Sequence, residues 1–357
     1  MAAFGGDFHI GRCIRGLLLE ERWMTIAMDP AYGYYQGSID PHEAYPEFQD
    51  SVNEFSQKVK TIVHPSILDE YLVDTLALMV FASNLVGRVG LGIDMTLRFC
   101  RPIFRGEKHP SNLSDYKDEY EALRYEMEQR GLPVTPGSIL RTRREIIHHA
   151  LAAKYMLRRV CIDGDSLSED IIRETHWILT HKINAPDGTS WREYGGVYRK
   201  CPAAAGLHSF TDHDLIPAAM RRMISCLDED LRKASERGQM DPIALAAKYC
   251  HMFANIQPFL YGNGQICCLI LNMLLIKYGG IMICMGATEA DRAEYLGILA
   301  NASTMGEAST LGGDDEDDLP EECRRKHYKE LATFMLKHAR QSVQAVVGLL
   351  KIESYLV

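Results

Sequence analysis

Apolar residues recur at helical spacing over most of this chain. After His64-Pro65, the positions Leu68, Tyr71, Leu72, Leu76, Leu78, Met79, Phe81 and Leu85 follow at helical spacings. Ser66 offers an N-cap, with Asp69 three residues on as a variant capping box, and the helix is expected to end between Gly87 and Gly92. A second helix is predicted from Ser138 to about Val160, with Ile139, Ile146, Ile147, Leu151 and Met156 as its buried stripe. Ser166-Leu167-Ser168-Glu169 starts another, through Ile171, Ile172, His176, Ile178 and Leu179. Helical patterns follow from about Asp214 to Arg237 and from Pro242 to Asn255. Leu269, Ile270, Leu271, Met273, Leu274, Leu275 and Ile276 are apolar nearly all round, which marks a central, fully buried helix ending at Gly279-Gly280. Thr288-Glu289 opens a further helix through Tyr295, Leu296 and Leu299. A last one is expected from Cys323 to Leu350, with Leu349, Leu350, Ile352 and Leu356 packing back. By contrast, Trp191 to Arg199 reads as a turn into a β-hairpin. The predicted class is therefore mainly α with one short hairpin.

Three regions break the pattern. Residues 1–64 are weakly patterned, with Tyr32, Tyr34, Tyr35 and Tyr45 among Gly and Pro, and read as an irregular arm on the body. Residues 102–137 form a polar insertion bearing Pro102, Pro110, Pro133 and Pro136, with a charged middle that suits a short surface helix. Gly312-Gly313-Asp314-Asp315-Glu316-Asp317-Asp318 is an acidic run, read as a solvated loop rather than a divalent-ion site. The expected organisation is an arm at 1–64, a helical domain at 65–310, and an acidic loop with a C-terminal helix at 311–357.

The 357 residues suffice for a large core, and the net charge of −9 argues against a nucleic-acid partner. The apolar run Gly16-Leu17-Leu18-Leu19 is too short for a signal peptide or a membrane span. Ten scattered cysteines without a C-x-x-C suit a reducing, cytoplasmic setting. Adjacent His148 and His149 point about 100° apart on a helix and make no ligand pair, so no metal is expected there.

One stretch carries candidate chemistry: Gln257-Pro258-Phe259-Leu260-Tyr261-Gly262-Asn263-Gly264-Gln265-Ile266-Cys267-Cys268. It joins two apolar helices through a Gly-Asn-Gly turn. Gly and Asn tolerate left-handed backbone, and the N–H groups opening the next helix attract anions. On physics alone, Gly262, Asn263 and Gly264 are either an anion cradle or an ordinary helix–loop–helix turn.

The stretch resembles the signature of the Fic (Fido) family, His-Pro-Phe-x-(Asp/Glu)-Gly-Asn-Gly-Arg-x-x-Arg. Pro258, Phe259, Gly262, Asn263 and Gly264 match, whereas Gln257, Tyr261, Gln265 and Cys268 replace the reactive positions. The resemblance implies a Fic-like helical fold with a β-hairpin flap. Gly196-Val197-Tyr198-Arg199, followed by Gly206, His208 and Phe210, fits the segment leading into that flap, which docks a target peptide. It also implies an inhibitory helix of pattern Ser/Thr-x-x-x-Glu-Gly/Asn. Ser83-Asn84-Leu85-Val86-Gly87 fits this, with Gly87 in place of the glutamate, or else is a plain helix end.

In the family, the histidine is the base, the acidic residue holds magnesium, and the arginines contact nucleotide phosphates during AMP transfer to protein. Gln257 cannot be a base, a loss that typically costs about 10² to 10⁴ in rate. Tyr261 is a poor magnesium ligand. Gln265 and Cys268 bring no charge. No cofactor is therefore expected, ATP with magnesium included, and residual AMP transfer is the last-ranked reading. Two readings lead. In one, the neutral lining serves an uncharged small molecule without metal, with Tyr261 as a proton donor and His208 or His251 as titratable groups if they face the pocket. In the other, the chain is a pseudoenzyme that docks a protein partner at the flap. A homodimer is compatible with either.

Overall fold

The structure is a computed structural model that describes residues 15–16, 24–62, 64–107, 117–205, 208–310 and 328–355. The acidic run at 312–318, together with Gly206, Cys323 and Leu356, lies outside the described residues. The side chain of His208 does too. Among the described residues, twelve α-helices dominate, as the periodicity predicts.

The core is organised around α10 (Asn263–Gly279), where Ile266, Ile270, Leu271, Met273, Leu275 and Ile276 are all fully buried. A helix apolar on every side must be covered on every side. Its covers are α2 (Pro65–Val86), α5 (Pro136–Leu157), α6 (Glu169–Thr180) and, most extensively, α9 (Pro242–Ile256). Helix α3 (Ile93–Phe104) fills the angle between α2 and α5, and α4 (Lys117–Gln129) lies on α5. The charged middle of the polar insertion is thus helical, whereas Arg101 to Phe104 still belong to α3. Helix α8 (Ile216–Arg237) packs on α9 and ends at Gly238 in the left-handed conformation. Helix α11 (Glu289–Thr310) reaches α12 (Lys329–Tyr355), which lies along α9 and α1 (Pro41–Thr61). At its end, Leu350 is buried while Ile352 is 62% exposed.

Several boundaries differ from expectation. The region read as an arm is not irregular throughout: α1 follows Asp40, capped by its carboxylate on the His42 N–H and opened by Pro41. Ala44, Tyr45, Phe48, Val52, Phe55 and Val59 are its buried face. Pro46 inside the helix removes one backbone donor, and this masks the pattern. Ser66 caps nothing. His64 is the N-cap of α2 with Pro65 at the first turn, where a missing N–H costs little. Ser168 does cap α6, through the Ile171 N–H. Helix α5 starts at Pro136, capped by Thr135, and runs into a π-helical turn at Arg158–Ile162.

The β structure is minimal. Strands β1 (Thr25–Ile26) and β4 (Gln239–Met240) pair in parallel, and β2 (Ala204–Ala205) and β3 (His208–Ser209) pair antiparallel. The hairpin therefore lies beyond Arg199. Trp191–Tyr194 forms one helical turn, α7, instead of leading into it. No helix among the described residues is long and apolar enough to cross a membrane.

Candidate functional site

The loop between α9 and α10 is bounded by two left-handed residues. Gln257 caps α9 at φ +46°, and Gly262 caps α10 at φ +81°. The positive φ favours glycine, and a Cβ at Gly262 would also be crowded, meeting Leu179 Cδ2 at 3.2 Å and His176 Nε2 at 3.4 Å. Asn263 is buried and bonds the loop to itself. Its Oδ1 accepts the Phe259 N–H (2.9 Å) and its Nδ2 donates to the Phe259 carbonyl (2.7 Å).

A second brace comes from α6. Nδ1 of His176 accepts the Gly196 N–H at 2.9 Å, so the ring proton sits on Nε2, which donates to the Tyr261 carbonyl at 2.8 Å. The ring stacks on Phe259, with centroids 3.8 Å apart. Burial lowers its pKa to about 4, which keeps it neutral.

The residues assigned to the flap form a third brace. Tyr198 bridges to Phe259, and the Arg199 N–H donates to the Pro258 carbonyl at 2.9 Å. The buried Arg199 guanidinium gives its donors to carbonyls of Gln257, Cys201, Ile256 and Thr211. Tyr198 donates to Glu169 at 2.7 Å. Gly196, at φ +67°, would clash with the Arg173 carbonyl if it carried a Cβ. Gly196, Tyr198 and Arg199 thus hold the loop and do not face outward.

Over the loop lies a cleft of about 420 Å³. Gln257, Tyr261, Gly262, Asn263, Gly264 and Gln265 line it, as does Gly87 from the end of α2. Gly264 is exposed with open space about it, and no side chain caps α10, which leaves the N–H groups of its first turn without a side-chain partner. A Cβ at Gly87 would point at Gln265 Nε2 from 3.7 Å, an ordinary contact. Arg88 follows at φ +53°, a conformation suited to the Gly or Asn of the inhibitory pattern. Ser83 is buried in the helix behind.

Cys268 departs from expectation and does not line the cleft. It is partly buried one turn further along α10, 3.7 Å from Asn272 Nδ2, with its thiol pushed up to about 11 by burial. Three residues after Gln265, it lies on nearly the same face but one turn deeper along α10, beside Ser83 of α2 and below the opening. Cys267 is buried too, 3.0 Å from the Cys250 sulfur. Neither is a thiolate nucleophile at neutral pH. His251 is buried in α9 against Asn255 and lies away from the cleft. His149 is fully buried on Asn84 at 2.8 Å, while His148 is partly buried.

Other lining residues escape sequence reading. Arg141 and Glu145 from α5 and Tyr194 from α7 face the loop across the cleft. Their only sequence signal is the i,i+4 spacing of Arg141 and Glu145 on a predicted helix, which fits any solvated face. Glu145 is the one carboxylate among the described lining residues, and both its oxygens are engaged, by Arg141 Nε (2.9 Å) and the Gly90 N–H (3.2 Å). Asp187 stands at the rim, 3.5 Å from the Tyr261 hydroxyl, with its other oxygen accepting the Thr189 N–H. Burial, then the Asp187 charge, holds the Tyr261 phenol above its usual pKa.

Residues 166–275 match the Fic/DOC family model, a span that runs from α6 to α10 and leaves α2 outside. A segment of 84 residues is 31% identical to a Fido domain-containing protein of Dictyostelium discoideum; it covers 24% of this chain and 56% of that relative, so the chain spans about half the length of the curated relative it matches. Among solved structures, a Fic domain containing signaling protein from Bacteroides thetaiotaomicron superposes with a TM-score of 0.58 at 17% identity, covering 87% of this chain and 97% of its own. Fic-1 from C. elegans superposes at 0.57 with 16% identity, covering 87% of this chain and 74% of its own. At these identities the likeness concerns the fold.

Proposed function

Because this chain resembles the Fic family and shares its fold, we propose that its cleft binds a small organic molecule without metal and does not support AMP transfer to protein. The observation that carries this reading is the open cleft of about 420 Å³ over the loop, a size that suits a small ligand. The loop's backbone is braced at Tyr261 and Asn263, while its side chains offer amides and a phenol in place of base, acid and arginines.

Magnesium does not fit these residues. Tyr261 stands where a carboxylate ligand is needed, and the carboxylate that does line the cleft has both oxygens engaged. The two amides, Gln257 and Gln265, can orient a polar group on the ligand. The Tyr261 phenol, protonated at neutral pH, can donate a hydrogen bond or a proton. Uncapped N–H groups of α10 can receive an oxyanion.

Thermal denaturation with ATP plus magnesium, compared with a metabolite panel, tests this reading. ATP with magnesium is expected to leave the midpoint unchanged, and at least one panel compound to raise it. A ligand at 100 times its Kd contributes about 2.7 kcal/mol. Stabilisation by ATP with magnesium defeats the proposal. A panel with no effect leaves the protein-docking reading in its place.

A further inference from the structure

The geometry points to Arg141 as the residue that selects the ligand of this cleft, and to a ligand with an acid group, carboxylate or phosphate, on a mostly apolar body. This inference rests on the small-molecule reading and sharpens it, since the loop taken alone suits an uncharged compound.

Arg141 projects from α5, a 22-residue helix, on the wall opposite the loop. Its Nε donates to Glu145 Oε1 at 2.9 Å and its Nη1 to the Asn184 carbonyl at 2.8 Å. Glu145 is itself anchored by the Gly90 N–H. The fork is therefore ordered before any ligand arrives, so little side-chain entropy remains to be lost on binding. Its Nη2 has no hydrogen-bond acceptor among the described residues. The side chain is 39% exposed while Glu145 is only 12% exposed, so the cation rather than its partner meets the solvent. A planar guanidinium with one free edge suits carboxylate and phosphate oxygens.

The rest of the lining sets the body of the ligand. Val86, Val89, Leu179, Ile183 and Leu260 supply apolar surface. Gln257 and Gln265 supply neutral amides, and no second cation appears among the described lining residues. One cation, already paired on one side with Glu145, among apolar walls favours a small monoacid over a polyphosphate, which would need several cations or a metal.

Ligand-observed NMR titration with matched fragments tests this. The probes are benzoate and benzamide, hexanoate and hexanamide, and phenyl phosphate. Each acid is expected to bind the wild-type protein at least about tenfold more tightly than its amide. Comparing benzoate with phenyl phosphate tells which acid the fork prefers. Arg141→Met is expected to abolish the preference and Arg141→Lys to retain part of it. Since Arg141→Met leaves a Glu145 oxygen unpaired, Arg141→Met with Glu145→Gln serves as the well-folded neutral comparison. Gly264→Trp, which fills the mouth of the cleft, is expected to remove all binding. Equal binding of acids and amides, or an acid preference that survives Arg141→Met, overturns the role of Arg141 while sparing the cleft. Binding indifferent to Gly264→Trp, or absent altogether, overturns the cleft reading and this inference with it.

Discussion

Gly262 shows how much one position can decide. Its positive φ turns the chain from loop into α10, and the space where a Cβ would sit is held by Leu179 and His176. Gly262→Ala is expected to cost about 1 to 3 kcal/mol of stability, measured by urea denaturation, whereas Gly264→Ala, with open space around it, should change little. Both glycines were legible in the sequence as members of a turn. What separates them was not, because Leu179 and His176 approach from a helix some 80 positions away. Cys268 was misplaced for a related reason. A motif gives an order of residues, but how deep each one sits along the helix, and what covers it there, follows from packing. Arg141 lay beyond reach altogether, since nothing in its local sequence distinguishes it from a solvated arginine.

At the level of elements, the loop is held by three braces that meet at Phe259: Asn263 within it, His176 from α6, and the segment around Tyr198 and Arg199. The sequence announced α6 and the Gly-x-Tyr-Arg segment, but not that both serve the loop. His176→Phe keeps the stack on Phe259 and removes both hydrogen bonds, leaving the Gly196 N–H and the Tyr261 carbonyl unpaired. A loss of about 2 to 4 kcal/mol is expected, with faster hydrogen exchange at Gly196 than in wild type as the confirming measurement. Retention of wild-type stability would mean that the stack alone fixes the loop. Helix α1 was hidden by Pro46, even though Asp40, Pro41 and its apolar face are plain once the helix is seen. The buried helix α10 was easy to identify because its composition leaves no polar side to expose.

For the whole molecule, buried histidines make stability depend on pH. His148, His149 and His176 have pKa values lowered to about 4, 3 and 4, chiefly by burial. The unfolded chain therefore binds more protons than the fold once pH drops below the ordinary histidine value, and their contribution is lost as pH falls from about 6.5 towards 4. Asp241 opposes them. Burial raises it to about 6, so its protonation favours the fold as pH falls between 6 and the ordinary aspartate range. Three histidines less one carboxylate leave about two protons. The expected loss is then about 2 to 3 kcal/mol per pH unit near pH 5, to be read from urea midpoints across pH 6.5 to 4.5. Constant stability over that window would contradict the buried, neutral histidines.

Asp241 also bears on where this protein can be cut. Its carboxylate caps α9 and accepts the Asp29 N–H and the Tyr32 hydroxyl, beside the short pairing of β1 with β4. Helix α1 in turn lies along α12. A fragment trimmed to residues 65–310 would strip two donors from a carboxylate that remains among apolar neighbours, and would bare the flank of α9 that α12 covers. The helix delivering the loop would lose its anchor at one end and its cover along one side. The segment before α2, which looked like an appendage, is therefore part of the smallest piece expected to hold the cleft in shape.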